Sequence, residues 1–156
     1  MSQIEFMEVA VMLSLEKMQE GSGGPFGAVV VKDGKIIGVG YNRVTSTNDP
    51  TAHAEIVAIR EACTALKTFE LSGCEIYTSC EPCPMCMSAI HWAKPDRVYY
   101  SNTMEQAAEF GFADKRILDQ LNAETSDREI PFVRLEHKEA LSAFKLWEEK
   151  DDKIEY

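Results

Sequence analysis

The chain has few basic residues for its length, with 16 Lys and Arg against 26 Asp and Glu among 156 residues and a net charge of −10. Proteins that bind RNA or DNA through phosphates usually need a basic face, so this deficit makes a nucleic-acid partner unlikely on electrostatic grounds. The sequence also lacks an apolar run long enough to span a membrane and the basic and apolar regions of a signal peptide. We therefore expect a cytoplasmic protein with no membrane partner.

The chain also lacks the pattern of a disulfide-linked protein. It has five cysteines, at positions 63, 74, 80, 83 and 86. An odd number of cysteines in a chain that is expected to be cytoplasmic argues against a disulfide framework. Cys83 and Cys86 have the spacing of metal ligands, and we expect the other three to be small buried apolar residues. No repeat, low-complexity tract or linker divides the chain, whose length suits a single domain over residues 1–156.

The N-terminal part of the sequence predicts a helix followed by a hairpin. Ser2 and Glu5 form a capping-box pattern in front of a helix over residues 3–20. The apolar residues that recur there at helical spacing are Ile4, Met7, Val11, Leu15 and Met18. Asp33-Gly34 then separates two strand-like runs, over residues 28–31 and 35–39, which is typical of a β-hairpin.

The remaining patterns alternate between strands and helices. Helices are predicted over residues 54–66 and 83–93, strands over 75–79 and 97–101, helical pieces around 104–122, a strand near 132–135, and a last helix over about 139–150. This order predicts an α/β fold with helices on both faces of a mixed sheet. Right-handed crossovers would place the helices 54–66 and 83–93 on one face, with their N-termini side by side.

Three soft metal ligands occur at the predicted starts of these two helices. Cys83 and Cys86 are three residues apart and share one helix face, and a helix N-terminus favours the thiolate form of cysteine. His53 begins the other helix and completes a Cys₂His set for Zn²⁺, one ion per subunit. Three protein ligands leave the fourth tetrahedral position open to a water whose pKa the metal lowers. The alternative, a structural zinc site, needs a fourth ligand, and no second C-x-x-C or H-x₃₋₅-H spacing supplies one.

Glu55 lies two residues after His53, close to the metal without being needed as a ligand. We expect Glu55 to act first as general base and then as general acid. It would take a proton from the attacking water, deliver it to a ring nitrogen, and later protonate the departing amine. The signature H-x-E followed by P-C-x-x-C is that of the zinc-dependent base deaminases.

The chain resembles the cytidine deaminase superfamily and, within it, the short bacterial guanine deaminases. The resemblance covers nearly the whole length and rests on GPFGAVV at residues 24–30, NDPTAHAE at 48–55 and TSCEPCPMC at 78–86. AIHWA at 89–93 and EFGFAD at 109–114 are also similar to that subfamily. The resemblance implies a three-layer α/β/α fold with a central mixed five-stranded sheet.

The resemblance also implies the roles of individual residues. Zinc is held by His53, Cys83 and Cys86, and Glu55 moves protons. The purine base is contacted by Asn42, Asp114, Phe26, Trp92 and Tyr156. Tyr156 closes the pocket from the other subunit of a homodimer whose C-terminal segment, about residues 138–156, is domain-swapped. The implied reaction is hydrolysis of guanine to xanthine and ammonia in purine catabolism.

Other functions compete with this one. A tRNA adenosine deaminase has the same motifs but must hold a phosphate backbone, which the charge of −10 disfavours. A cytosine or cytidine deaminase would need a smaller pocket. A non-catalytic, zinc-stabilised binding module would leave Glu55 without a role.

Overall fold

The structure, a computed structural model, describes residues 1–156, which divide into two compact units, Met1–Leu118 and Asp119–Tyr156. The helices and strands in chain order are α1 (Gln3–Gln19), β1 (Gly27–Lys32), β2 (Lys35–Tyr41), α2 (Val44–Thr47), α3 (Ala54–Leu66), β3 (Cys74–Cys80), α4 (Pro84–Ala93), β4 (Arg97–Asn102), α5 (Met104–Glu109), α6 (Asp114–Asn122) and α7 (Ser142–Glu149). None of these helices is both long and apolar enough to cross a membrane. That residues 1–156 form one domain stays a prediction.

The sheet is mixed, with its strands in the order β2-β1-β3-β4. β1 pairs antiparallel with both β2 and β3, whereas β3 and β4 are parallel. The predicted hairpin is confirmed between β1 and β2, where Asp33 and Gly34 have φ angles of 49° and 70°. Positive φ at both central residues is what a type I′ turn requires, and this turn matches the twist of the two strands. The predicted α/β fold with a mixed sheet is confirmed.

The prediction of five strands is wrong, because the sheet has four. The segment predicted as the fifth strand, residues 132–135, has irregular backbone, and its side chains are exposed. A strand exists only where its backbone groups pair with those of a neighbour. The apolar pattern of this segment predicts an extended chain but does not identify a partner for it.

Helices cover both faces of this sheet. One core cluster lies between α1 and the sheet and consists of Phe6, Val29, Val31 and Tyr77. A second cluster lies on the other face, where α3 and α4 pack, and consists of Ala28, Val30, Ala54, Ala58, Ala62, Leu71, Cys74, Ile76, Ile90 and Ala93. Val29 and Val30 therefore point to opposite faces of β1, as the period of two in a strand requires. The two motif-bearing helices lie on one face, as predicted.

Helix α1 is confirmed with its capping box, but only part of the predicted apolar stripe faces the core, where Met7 packs. Ile4 and Leu15, which belong to that stripe, are exposed, whereas Phe6 and Ala10 are buried. The ring of Phe6 lies 5.4 Å from that of Tyr77. The face that packs against the sheet is therefore centred on Phe6 and Ala10.

The unit Asp119–Tyr156 contains no buried residue. Its exposed large apolar side chains are Leu121, Ile130, Phe132, Val133, Leu135, Leu141, Phe144, Leu146, Trp147, Ile154 and Tyr156. Chains shorter than about 40 residues rarely bury enough surface to be stable alone and usually need oligomerisation, a metal or disulfides. This unit therefore has no apolar core of its own.

Candidate metal centre

The candidate metal centre forms where the N-termini of α3 and α4 meet. His53 is the N-cap residue of α3 and Cys83 is the N-cap residue of α4, and neither side chain makes a capping hydrogen bond. N-cap positions usually carry Ser, Thr, Asp or Asn, whose oxygens accept a backbone hydrogen bond. Pro84 follows at the first helical position, where the missing N–H costs nothing. The cap positions of both helices are thus occupied by potential metal ligands.

The ligand atoms of His53, Cys83 and Cys86 lie within 4.8 Å of one another. The His53 Nδ1 atom is 3.5 Å from the Cys83 Sγ atom and 3.5 Å from the Cys86 Sγ atom. Zn–N bonds of about 2.0–2.1 Å and Zn–S bonds of about 2.3 Å, at tetrahedral angles, separate nitrogen and sulfur by about 3.6 Å. The observed spacing therefore fits a zinc ion bound through Nδ1 and two sulfurs.

The other cysteines do not belong to this ligand group. Cys80 is the nearest of them in sequence, and its thiol donates to the backbone carbonyl of Thr103 at 3.7 Å. Burial raises the pKa of the Cys80 thiol to about 11, so this side chain is held in its neutral form. Cys63 and Cys74 pack with the core on the α3 side of the sheet. The protein thus supplies three ligands and no fourth, as a catalytic zinc site requires.

Hydrogen bonds connect the three ligand side chains and shift their pKa values. A hydrogen bond from the Cys86 thiol lowers the pKa of Cys83 to about 4, and the same contact raises the pKa of Cys86. The Cys83 thiolate in turn raises the pKa of His53 through a hydrogen bond to the ring. Metal binding requires both thiolates and a neutral imidazole, so a cation would displace these protons.

Glu55 lies in the first turn of α3 beside the ligand group and is only 5% exposed. Its Oε2 atom is 3.4 Å from the Cys86 Sγ atom, and its Oε1 atom is 3.4 Å from the Thr78 hydroxyl. Burial raises the pKa of the Glu55 carboxyl, because the ionised form loses its hydration. A carboxyl group with a raised pKa next to a metal site is suited to accept and return a proton.

Asn42 is buried immediately after β2, and its side chain is held by the backbone. Its Oδ1 atom accepts hydrogen bonds from the N–H groups of Gly24 at 3.1 Å and Val44 at 3.2 Å. The Asn42 N–H donates to the carbonyl of Phe26 at 3.0 Å. These contacts join the residues after α1 to the end of the hairpin, so Asn42 has a structural role whatever ligand it contacts.

Phe26 and Asp114 come from separate segments of the first unit. The Phe26 ring is half-buried and packs edge-to-face on Phe112, with ring centroids 4.8 Å apart. Asp114 begins α6 and is half-buried. Burial raises its pKa, and the Cys83 thiolate adds to the rise, which puts Asp114 within electrostatic reach of the ligand group. Asp114 therefore lies near the metal centre, although it is distant in sequence.

Trp92 and Tyr156 are both largely exposed. Trp92 is on α4 with 62% of its surface exposed, six residues and about 9 Å along the helix axis from Cys86. Tyr156 is exposed in the unit Asp119–Tyr156. Their predicted contacts with a purine stay predictions.

The structure adds two residues to those predicted from the sequence. Thr78 contacts Glu55, and Phe112 contacts Phe26. Thr78 could have been found from the sequence, because it is a polar residue at an inward-facing position of a strand, between Ile76 and Cys80. Phe112 lies in the EFGFAD motif, but its contact with Phe26 joins residues 86 positions apart and depends on the tertiary fold.

Comparisons with known proteins agree with the geometry of this site. The profile of the family described as "Cytidine and deoxycytidylate deaminase zinc-binding region" matches residues 1–102. Guanine deaminase from Bacillus subtilis (strain 168) is 50% identical over 151 residues, which cover 97% of each chain. A crystal structure of guanine deaminase from Bacillus subtilis superposes with a TM-score of 0.97 at 49% identity, covering 100% of this chain and 99% of that one.

More distant relatives act on other substrates or share less of the chain. A tRNA-specific adenosine deaminase from Aquifex aeolicus (strain VF5) is 43% identical over 96 residues, or 62% of this chain and 63% of the relative. A guanine deaminase from Nitrosomonas europaea has a TM-score of 0.69 at 31% identity, covering 72% of this chain and 65% of that one.

Proposed function

This chain belongs to the family defined by the cytidine and deoxycytidylate deaminase zinc-binding region, and on this premise we propose that it is a guanine deaminase. The reaction is guanine plus water to xanthine plus ammonia, in which the C2–N bond to the exocyclic amine breaks and a C2–O bond forms. The observation that carries this proposal is the 50% identity to Bacillus subtilis guanine deaminase over 97% of both chains. The tRNA-specific relative, in contrast, matches only 62% of this chain.

Zinc is the cofactor of this family, and we propose His53, Cys83 and Cys86 as its ligands, with one ion per subunit. The separations of 3.5 Å between the His53 nitrogen and each sulfur support this assignment. When bound, the ion supplies a Lewis acid that lowers the pKa of water and makes it a nucleophile near neutral pH. The two thiolates offset the charge of the ion, and the helix N-termini stabilise those thiolates.

Glu55 is the proposed proton carrier. Its carboxylate takes the proton of the attacking water and delivers it to the ring nitrogen next to C2, which makes C2 electrophilic. Glu55 then takes the second proton from the hydroxyl group now bound to C2 and gives it to the exocyclic amine, so that ammonia leaves and the C2 carbonyl of xanthine forms. Burial raises the pKa of Glu55, which favours the protonated form that this second transfer needs.

The proposed purine contacts are Asn42, Asp114 and Phe26 from one chain. The Oδ1 atom of Asn42 is already engaged by two backbone N–H groups, so its amide nitrogen is the group that would donate to the base. Asp114 would accept hydrogen bonds from the base, and Phe26 would stack on it. Trp92 would line the pocket, and Tyr156 would close it from a partner subunit.

A homodimer with a swapped C-terminal segment, about residues 138–156, is part of this proposal. The absence of buried residues in the unit Asp119–Tyr156, together with its exposed apolar side chains, supports it. Sedimentation equilibrium at micromolar concentration should give twice the 17.5 kDa mass of the chain. A monomer under those conditions would contradict the swap.

We also propose that the protein acts in the cytoplasm, in the breakdown of purine bases. The five free cysteines, two of them needed as thiolate ligands, suit a reducing compartment. The charge of −10 suits a small base better than a polyanionic RNA.

The test is ammonia release from guanine, adenine, cytosine, their nucleosides and tRNA by the zinc-loaded protein. Guanine should give the highest kcat/KM, and a preference for tRNA or for cytidine would identify the alternative family functions. Glu55→Gln should lower kcat by about 10²–10⁴-fold with the zinc content unchanged. Glu61→Gln makes the same change on an exposed part of α3 and should retain wild-type turnover. Wild-type turnover by Glu55→Gln would refute the assigned mechanism.

A further inference from the structure

Thr78 places a hydroxyl group beneath the candidate catalytic carboxylate. It lies in the middle of β3, and only 1% of its surface is exposed. Its inward-facing neighbour Ile76 is part of the apolar core between the sheet and the helices α3 and α4. Burying a hydroxyl group among apolar side chains is unfavourable unless the hydroxyl is hydrogen-bonded. The burial of Thr78 therefore requires a hydrogen-bond partner for its hydroxyl group.

Two oxygens lie within reach of this hydroxyl. The Thr78 Oγ1 atom is 3.1 Å from the carbonyl oxygen of Cys80 and 3.4 Å from the Oε1 atom of Glu55. The other carboxylate oxygen of Glu55 is 3.4 Å from the Cys86 sulfur. The carboxylate is thus held between a hydroxyl on the sheet and a sulfur on α4.

A hydroxyl suits this position because it has one donor and two acceptor lone pairs. Its single hydrogen can point to the Glu55 carboxylate or to the Cys80 carbonyl, and its lone pairs can accept hydrogen bonds. Valine has nearly the same shape as threonine and fits a strand equally well, but it can do neither.

We propose that Thr78 is a positioning residue that fixes the orientation of the Glu55 carboxylate beside the metal centre. This inference rests on the proposed role of Glu55 in deamination. A general base must lie within hydrogen-bond reach of its proton, and a misplacement of about 1 Å can lower the rate about 100-fold. Thr78 itself does not touch the substrate in this proposal.

The test compares Thr78→Val, which removes the hydroxyl at nearly constant shape, with Thr78→Ser, which keeps it. Thr78→Val should lower kcat for guanine by about 10- to 100-fold, with KM nearly unchanged, because the proton carrier but not the binding site is disturbed. Thr78→Ser should recover most of this loss. The zinc content of both variants should equal that of the wild type.

A second readout does not depend on turnover. A crystal structure of zinc-loaded Thr78→Val should show the Glu55 carboxylate rotated or disordered, and that of Thr78→Ser should show it in place. If wild-type protein releases no ammonia from guanine, the proposed function fails while this structural comparison still tests Thr78. Thr78→Ala gives the same comparison should Thr78→Val fail to fold.

Four results would overturn the inference. The first is wild-type kcat in Thr78→Val, and the second is equal impairment of Thr78→Val and Thr78→Ser, which would assign the effect to packing. The third is an unmoved Glu55 carboxylate in the Thr78→Val crystal structure. Loss of zinc from Thr78→Val would also contradict it, because the role would then be to maintain the ligand group.

Discussion

Replacing Gly40 by alanine tests how closely the position of α3 controls the metal centre. Gly40 lies in β2 beneath the first turn of α3, the turn that follows His53 and carries Glu55. A Cβ atom at this position would overlap the Ala54 carbonyl oxygen and lie 2.6 Å from the Ala58 nitrogen. Ordinary contact begins at 3.4 Å, so the Ala58 contact alone requires α3 to move by about 0.8 Å, and the overlap with Ala54 requires a larger shift.

The expected cost of this substitution follows from two opposing effects. Overpacking typically destabilises a protein by about 1–3 kcal/mol. The smaller conformational freedom of alanine in the unfolded chain offsets about 0.4–1 kcal/mol of this. A net loss of about 1–2 kcal/mol corresponds to a fall in Tm of about 2–8 °C for a chain of this size. The effect on activity should be larger, because a displacement near 1 Å of Glu55 and His53 is expected to lower kcat/KM about 100-fold.

Gly38→Ala provides the matched control, because the added Cβ would overlap the Ala58 carbonyl oxygen and lie 2.9 Å from the Ala62 nitrogen on the same helix. These contacts lie one helical turn further from His53 than those made at Gly40, so a comparable fall in Tm should accompany a smaller loss of activity. Ammonia release from guanine and thermal unfolding of both variants are the measurements. Equal losses of activity in the two variants, or wild-type activity in Gly40→Ala, would refute the link between this contact and the site.

Three further predictions follow from the same structure. Asn42→Asp keeps an acceptor for both backbone N–H groups but loses the amide donor. Tm should therefore change little, while KM for guanine should rise at least about tenfold. An unchanged KM would exclude Asn42 from base recognition. Deleting residues 154–156 should lower guanine turnover while zinc content stays the same, and an unchanged rate would contradict the role of the terminal tyrosine as a lid. Ser79→Ala removes the hydroxyl oxygen that accepts a hydrogen bond from the buried N–H of Gly27 at 3.1 Å. The free energy of unfolding measured in urea should fall by about 1–3 kcal/mol. A fall below about 0.5 kcal/mol would mean that the Gly27 N–H finds another partner.

Local sequence signals predicted several elements closely. Helix α3 runs over Ala54–Leu66, as predicted, because its pattern is periodic over more than three turns. The hairpin turn was predictable because Asp-Gly tolerates the positive φ angles of a type I′ turn. The rotation of α1 and the number of strands could not be predicted in this way. Both depend on which distant surface an apolar segment meets, and periodicity carries no information about that.

The sequence alone determined the chemistry of this protein, because the chemistry depends on residue types at fixed short spacings. Cys83 and Cys86 share one face of their helix wherever that helix packs. The spacing of two residues between His53 and Glu55 likewise does not depend on the fold. The tertiary structure decided which other groups surround those residues. It brought α3 and α4 together so that one nitrogen and two sulfurs match the size of a zinc ion, buried Glu55 deeply enough to raise its pKa, and placed the Thr78 hydroxyl against its carboxylate. These contacts join residues 23 to 33 positions apart in the chain, and such contacts form only when the sheet and its helices pack.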